Sequence, residues 1–174
     1  MKSLTKEKML TAFRRLDELL PRSANLLVGG GGAMLLSYNF PLATADIDGI
    51  PSGVTMEEMD IFIKQITQEQ GLSGDWLNPY FSSFTHVLPG DYKQRLVPAF
   101  SGQRLTVHAL GKEDLLVMKC FAHRRKDVPH ARALVRQGAR VAFVGQHIEQ
   151  LKQKNIPKAT EALDFLDEII ELET

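Results

Sequence analysis

The sequence predicts an α/β (α+β) fold: a small mixed β-sheet flanked by helices, with a helical C-terminal part. Three observations predict it. Apolar or alternating runs of strand length, at 25–28, 45–50 and 104–110, all fall in the first two thirds of the chain. Beyond Gly111, stretches of helical period follow one another to the end. The 174 residues are 44% hydrophobic and 24% charged, the make-up of a globular chain with a real core. The expected division is a core over 1–110 and a helical subdomain over 111–174 packed on it.

The elements follow in order. Residues 5–20 carry Met9, Phe13, Leu16, Leu19 and Leu20 at spacings of three and four, and Pro21 closes this helix. Residues 25–28 form a short buried strand. Four glycines follow, and the spacing predicts a helix over 33–38. Residues 45–50 form the second strand, ended by Pro51-Ser52-Gly53. Residues 55–68 form a helix, with Thr55 and Glu58 at the spacing of a capping box. A loop surrounds Trp76. Short strands broken by Pro89-Gly90 and Pro98 are expected over 81–100, and a strand over 104–110. Helices are expected over 113–124, 128–137, 141–153 and 158–172. Glu113 and Asp114 read as acids complementing the positive end of the first of these.

Lys+Arg and Asp+Glu number 21 each, so the formal charge is zero and no global field draws the chain to nucleic acid or anionic lipid. The single cysteine, Cys120, excludes an internal disulfide and a cysteine-rich zinc site, and it reads as a small core residue. No apolar run approaches the ~20 residues that span a bilayer, and the N-terminus lacks the apolar stretch of a signal peptide. No membrane association and a cytoplasmic location are expected. The histidines do not fall at metal-binding spacing.

Chemistry concentrates in two places. Gly29-Gly30-Gly31-Gly32 follows the first strand. Position 34 is Met and position 35 is Leu, so no G-x-G-x-x-G fingerprint fits, and no Lys-Ser pair completes a phosphate loop. Two readings remain: a bare turn whose N–H groups meet a triphosphate, or a tight turn with close helix-on-strand packing. Asp46 and Asp48 flank Ile47. On a strand both carboxylates would face one side, about 7 Å apart along the chain at about 3.3 Å per residue. That places a metal-binding pair there, or a polar strand end facing water.

With these motifs the chain resembles the nucleotidyltransferase superfamily, the polymerase-β-like fold. Within it, the chain is similar to bacterial abortive-infection toxin-type nucleotidyltransferases and their small uncharacterised relatives. The matching segments are Gly30-Gly31-Gly32-Ala33, Thr44-Ala45-Asp46-Ile47-Asp48, Leu115-Leu116-Val117-Met118-Lys119 and Arg124-Arg125-Lys126-Asp127. Trp76-Leu77-Asn78 resembles a loop of the small relatives.

The resemblance implies Mg²⁺-dependent transfer of a nucleoside monophosphate from a nucleoside triphosphate to an acceptor, with RNA the candidate acceptor and an antitoxin-like protein the candidate partner. Asp46 and Asp48 would bind Mg²⁺, Gly30 and Gly31 would hold the triphosphate, and Thr44 would orient the aspartate strand. Lys119 would neutralise triphosphate charge, or else be a solvent-facing helical lysine. Asp127 would orient Lys119 or contact the base side, or cap the helix that starts at Val128. Arg125, with Arg124 and Lys126, would meet nucleotide or RNA phosphates, or form a solvated charge run.

Two departures stand out. The arginine two residues before the family's threonine falls on Leu42. The third carboxylate, expected on the strand over 104–110, is missing, and His108 is the candidate to stand in as base, against the reading of an ordinary strand histidine. They open a second function: a catalytically degenerate member of the fold that binds nucleotide or a partner.

Overall fold

A computed structural model describes residues 3–41 and 43–174. Leu42 lies outside the described residues. The chain divides into two compact units, Met1–Ser83 with Leu96–Leu110, and Phe84–Arg95 with Gly111–Thr174.

The first unit holds the sheet. Helix α1 (Lys6–Leu19) is capped by Thr5, whose side chain accepts from Lys8 N–H, and it buries Met9, Ala12, Phe13 and Leu16. Strand β1 (Ala24–Gly29) runs directly into α2 (Gly30–Ser37). Strand β2 (Ile47–Ser52) leads to α3 (Met56–Gln70), where both bonds of the Thr55–Glu58 capping box are made. Then come β3 (Leu77–Asn78), β4 (Val97–Ser101) and β5 (Leu105–Ala109).

The sheet order is β3-β2-β1-β5-β4. It is mixed, as expected: β1 is antiparallel to β2 and parallel to β5, β2 is parallel to β3, and β4 is antiparallel to β5. Leu26, Val28, Ile47, Leu105, Val107 and Ala109 are buried on one face, and α2 packs against β1, β2, β4 and β5. Leu27, Asp48, Ile50, Thr106 and His108 alternate with them and are half-buried. This alternation is the period of two that a sheet with one helix-covered face imposes.

Three expectations need correction. The second strand starts at Ile47, not at residue 45, and continues through Pro51 and Ser52. Pro51 is tolerated because β3 pairs only with Ile47 and Asp48, leaving the rest of β2 as an edge. The helix expected from residue 33 starts at Gly30, so three of the four glycines form its first turn. Of the strands expected over 81–100 only β4 forms. Residues 80–87 and 92–95 are 3₁₀ turns, in a stretch with no alternation of apolar and polar residues to sustain a strand.

The second unit contains α4 (Lys112–Ala122), α5 (Val128–Arg136), α6 (Val141–Gln153) and α7 (Ala159–Glu173), with α4 and α7 each packed on the other three. All residues from Glu113 to Phe121 are buried. Glu113 and Asp114 are therefore more than dipole complements. Asp114 accepts from Arg95 Nε at 2.9 Å and Nη2 at 2.8 Å, and Glu113 accepts from Arg140 Nε at 3.1 Å. Burial pushes the Asp114 carboxyl above its ordinary range, against the pull of Arg95. Both guanidiniums lie on the Phe143 ring, 5.0 and 4.7 Å from its centre. Cys120 is a fully buried core residue whose thiol burial pushes up, which leaves it unreactive. Among the described residues no helix is long and apolar enough to cross a membrane.

Candidate functional site

The glycine turn and the aspartate strand meet. Gly29 pairs with Asp48 across the β1–β2 ladder, and the next residue, Gly30, opens α2 with φ +59°. A Cβ at position 30 would collide with Asp48 Oδ2 and lie 3.3 Å from its Cγ. The bare Cα of Gly30 thus leaves room for the carboxylate beside the first turn of α2, the positive end of that helix. Gly31 follows in that turn, half-buried. Gly29 is covered on its side by the Phe81 ring, 3.2–3.4 Å from where a Cβ would stand. A Cβ at Gly32 would make only ordinary contacts, with Ile47 and Val28 at 3.4–3.5 Å. Gly32 thus fits the reading of close helix-on-strand packing, while Gly30 makes room for the acid.

Asp46 precedes β2 by one residue and is half-buried, as is Asp48. Ile47 between them is fully buried, so the two acids leave the core together. The segment entering this pair is pinned at Thr44, which forms an isolated antiparallel bridge to Leu4: Thr44 N–H donates to Leu4 O at 3.2 Å and Leu4 N–H to Thr44 O at 2.7 Å. On the other side, Asn78 stands opposite Asp48 in the parallel β2–β3 register, and its Nδ2 donates to Asp46 Oδ2 at 2.8 Å. β3 is held by Trp76, fully buried, whose Nε1 donates to Ile63 O at 3.3 Å and whose carbonyl accepts from Ile47 N–H at 2.7 Å.

His108 is on the same sheet face as Asp48 but is not brought beside it. His108 pairs with Leu27 on β1, while Asp48 pairs with Gly29. Two strand spacings across and two residues along give a Cα separation of about 12 Å. Thr106 is the other β5 residue of that face, so β5 offers no acid there. Among the described residues no group of three or more His, Cys, Asp or Glu side chains gathers as a metal site, which leaves the two carboxylates as a pair.

The second unit has its own buried polar cluster. Asp127, fully buried, accepts from Lys119 Nζ at 2.8 Å and from Arg124 Nε at 2.7 Å and Nη2 at 3.2 Å. Lys119 is 5% exposed, so it is not a solvent-facing lysine. Asp127 occupies the cap position of α5 but makes no side-chain cap bond; its oxygens are used by the two cations. Burial works to raise the Asp127 carboxyl, yet Arg124 and Lys119 outweigh it and hold it below the ordinary range. Burial, with Lys119 adding to it, pushes His130 down to about 4. Arg125 and Lys126 are exposed.

Sequence reasoning singled out Asp46, Asp48, Gly30, Gly31 and Thr44 but gave no role to Asn78, Phe81 or Leu4. Asn78 meets a partner 32 positions away, a relation no local pattern encodes.

The chain matches the model of a protein family described as nucleotidyltransferases of unknown function (DUF6036) over residues 7–136, about three quarters of its length. It belongs to that family. No curated protein and no solved structure matches it.

Proposed function

We propose that this member of the nucleotidyltransferase family moves a nucleoside monophosphate from a triphosphate to an acceptor hydroxyl, RNA being the candidate acceptor, in a Mg²⁺-dependent reaction. One observation carries the reading: the left-handed Gly30, bare of a side chain, faces the Asp48 carboxylate at the start of α2.

The residues fit a divalent cation. Asp46 and Asp48 carry hard oxygen donors on either side of the buried Ile47, and Mg²⁺ is commonly held by one or two carboxylates completed by substrate phosphates and water. The Asn78 bond to Asp46 Oδ2 occupies one acceptor site of a carboxylate that has about four. A bound Mg²⁺ neutralises phosphate charge and stabilises the departing oxygen. Gly30 and Gly31, in the first turn of α2, would hold the triphosphate through backbone N–H groups at the positive end of that helix. In such a transfer the acceptor oxygen bonds to the α-phosphorus, the bond from that phosphorus to the α–β bridging oxygen breaks, pyrophosphate leaves with that oxygen, and the hydroxyl proton passes to water. The exposed Arg125 and Lys126 offer contacts for RNA phosphates. An antitoxin-like partner is part of the same reading only through the family resemblance.

A specific observation favours a second reading. The Asp48 face of β5 presents Thr106 and His108, and no acid. A chain that binds Mg²⁺ and nucleotide but transfers slowly would look the same.

The test is a melting series with Mg²⁺ and each ribonucleoside triphosphate. A ligand at 100 times its Kd stabilises by about 2.7 kcal/mol. At about 2–4 °C per kcal/mol that is a rise of roughly 5–11 °C. The rise should need Mg²⁺ and vanish in Asp46→Asn. A rise that survives Asp46→Asn refutes the site. Transfer of an α-³²P label to RNA separates the enzyme from the binding module.

A further inference from the structure

We propose, on the metal-dependent reading above, that Asn78 is a positioning residue that fixes which oxygen of Asp46 faces the cation. Asp46 lies outside the β-ladder, one residue before Ile47, so no strand pairing holds it. Asp48 is held by register between Gly29 and Asn78. Asp46 needs another constraint, and the 2.8 Å bond from Asn78 Nδ2 supplies one.

The chemistry fixes the direction of that bond. A carboxylate only accepts, so the amide must present its NH₂ and not its oxygen. The second contact of the same nitrogen, Asp75 O at 3.5 Å, is also an acceptor and agrees with that orientation. With Oδ2 of Asp46 engaged by Asn78, Oδ1 is the oxygen directed to a cation. Asn78 is itself built in from behind. Trp76, two residues earlier, is locked into α3 and accepts the Ile47 N–H, so the strand that carries Asn78 and the strand that follows Asp46 are tied together. β3 itself pairs with Ile47 and Asp48, which brings Asn78 beside the acid pair. Hydrogen bonds to metal-binding carboxylates are worth about 10–100-fold in metal affinity.

The experiment is Mn²⁺ binding to the full chain, followed by loss of the free Mn²⁺ electron paramagnetic resonance signal, at a temperature well below the melting point. Wild type, Asp46→Asn, Asn78→Leu and Asn78→Gln are compared. Leu keeps the approximate shape and removes the donor; Gln keeps a donor at a longer reach. Asn78→Leu is expected to weaken Mn²⁺ binding at least about tenfold, and Asn78→Gln by less. Asp17→Ala is the control for a structural effect. Asp17 lies on α1 and accepts backbone N–H groups of Gln103, Arg104 and Leu105. Its loss should lower the melting point and leave Mn²⁺ affinity within twofold. Should Asn78→Leu not fold, Asn78→Ser, too short to reach Asp46, carries the same expectation. Asp46-dependent binding in wild type with unchanged affinity in the donor-free variant overturns the role of Asn78 alone. Wild type that fails to bind Mn²⁺, or binds it equally in Asp46→Asn, overturns the metal reading beneath it.

Discussion

Alanine at position 30 and alanine at position 32 should have opposite effects. Gly30 has φ +59°, a region that costs an L-residue about 1–2 kcal/mol. The added methyl also meets Asp48 Oδ2, with Asp48 Cγ at 3.3 Å, while Asp48 Cβ at 3.6 Å is in ordinary contact. The carboxylate must turn away, and its present setting is lost. Together these give a loss of about 2 kcal/mol or more, a melting-point drop of roughly 4–8 °C for a chain this long. Gly32 lies in the same helical turn without positive φ, and its methyl would meet Ile47 Cγ2 at 3.4 Å and Val28 Cγ1 at 3.5 Å. Alanine there should be neutral or gain up to about 1 kcal/mol from helix propensity. Urea unfolding reads both variants. Adding Asp48→Ala to Gly30→Ala should recover the part of the loss due to the collision and leave the part due to φ. The Mg²⁺- and nucleotide-dependent rise in melting point should disappear in Gly30→Ala and persist in Gly32→Ala. Equal stabilities for the two single variants would refute the account of the turn.

Three further outcomes follow from the same contacts. Asp17→Ala leaves three backbone N–H groups of the β4–β5 turn without their acceptor, bonded at 3.1, 2.7 and 2.7 Å, and should cost about 1–3 kcal/mol in urea unfolding. Burial works to raise the Asp17 carboxyl, but those N–H groups hold it below its ordinary range, so its contribution is present above about pH 4 and fades as pH falls through the folded value. Asp127→Ala strands the buried Lys119 ammonium and should cost about 3–5 kcal/mol, part of which Lys119→Met in the same chain restores. Burial, then Lys119, holds His130 near 4, so between about pH 6.5 and 4 the unfolded chain takes up a proton that the folded chain does not. Stability should fall as pH drops through that window, by at most about 3 kcal/mol, and His130→Gln should flatten the fall; parallel profiles for wild type and variant would contradict it.

What the sequence disclosed and what it hid divide along the range of the interactions. The Thr55–Glu58 box, the burial of Ile47 between two half-buried acids, and Met9, Phe13 and Leu16 of the α1 stripe are set within a few residues, and these formed as their patterns placed them. The burial of α4 on all sides and the Thr44–Leu4 bridge depend on neighbours far along the chain. A period of 3.6 marks Glu113 and Asp114 only as first-turn acids; Arg95 and Arg140, 19 and 27 positions away, are what make them internal ion-pair partners.

The glycine run shows the division most sharply, because four equal letters take different duties. Gly29 ends a strand under Phe81, Gly30 alone of the four has a left-handed backbone and an acid at its Cα, and Gly32 packs on Ile47 as an alanine would. The chain entropy spent on four glycines is therefore required at one position by φ and by the Asp48 carboxylate together. If the run existed only to bring a helix close to a strand, Gly32 would be its sensitive member. The structure makes Gly30 the sensitive one, and that ties the run to the acid pair and not to packing alone.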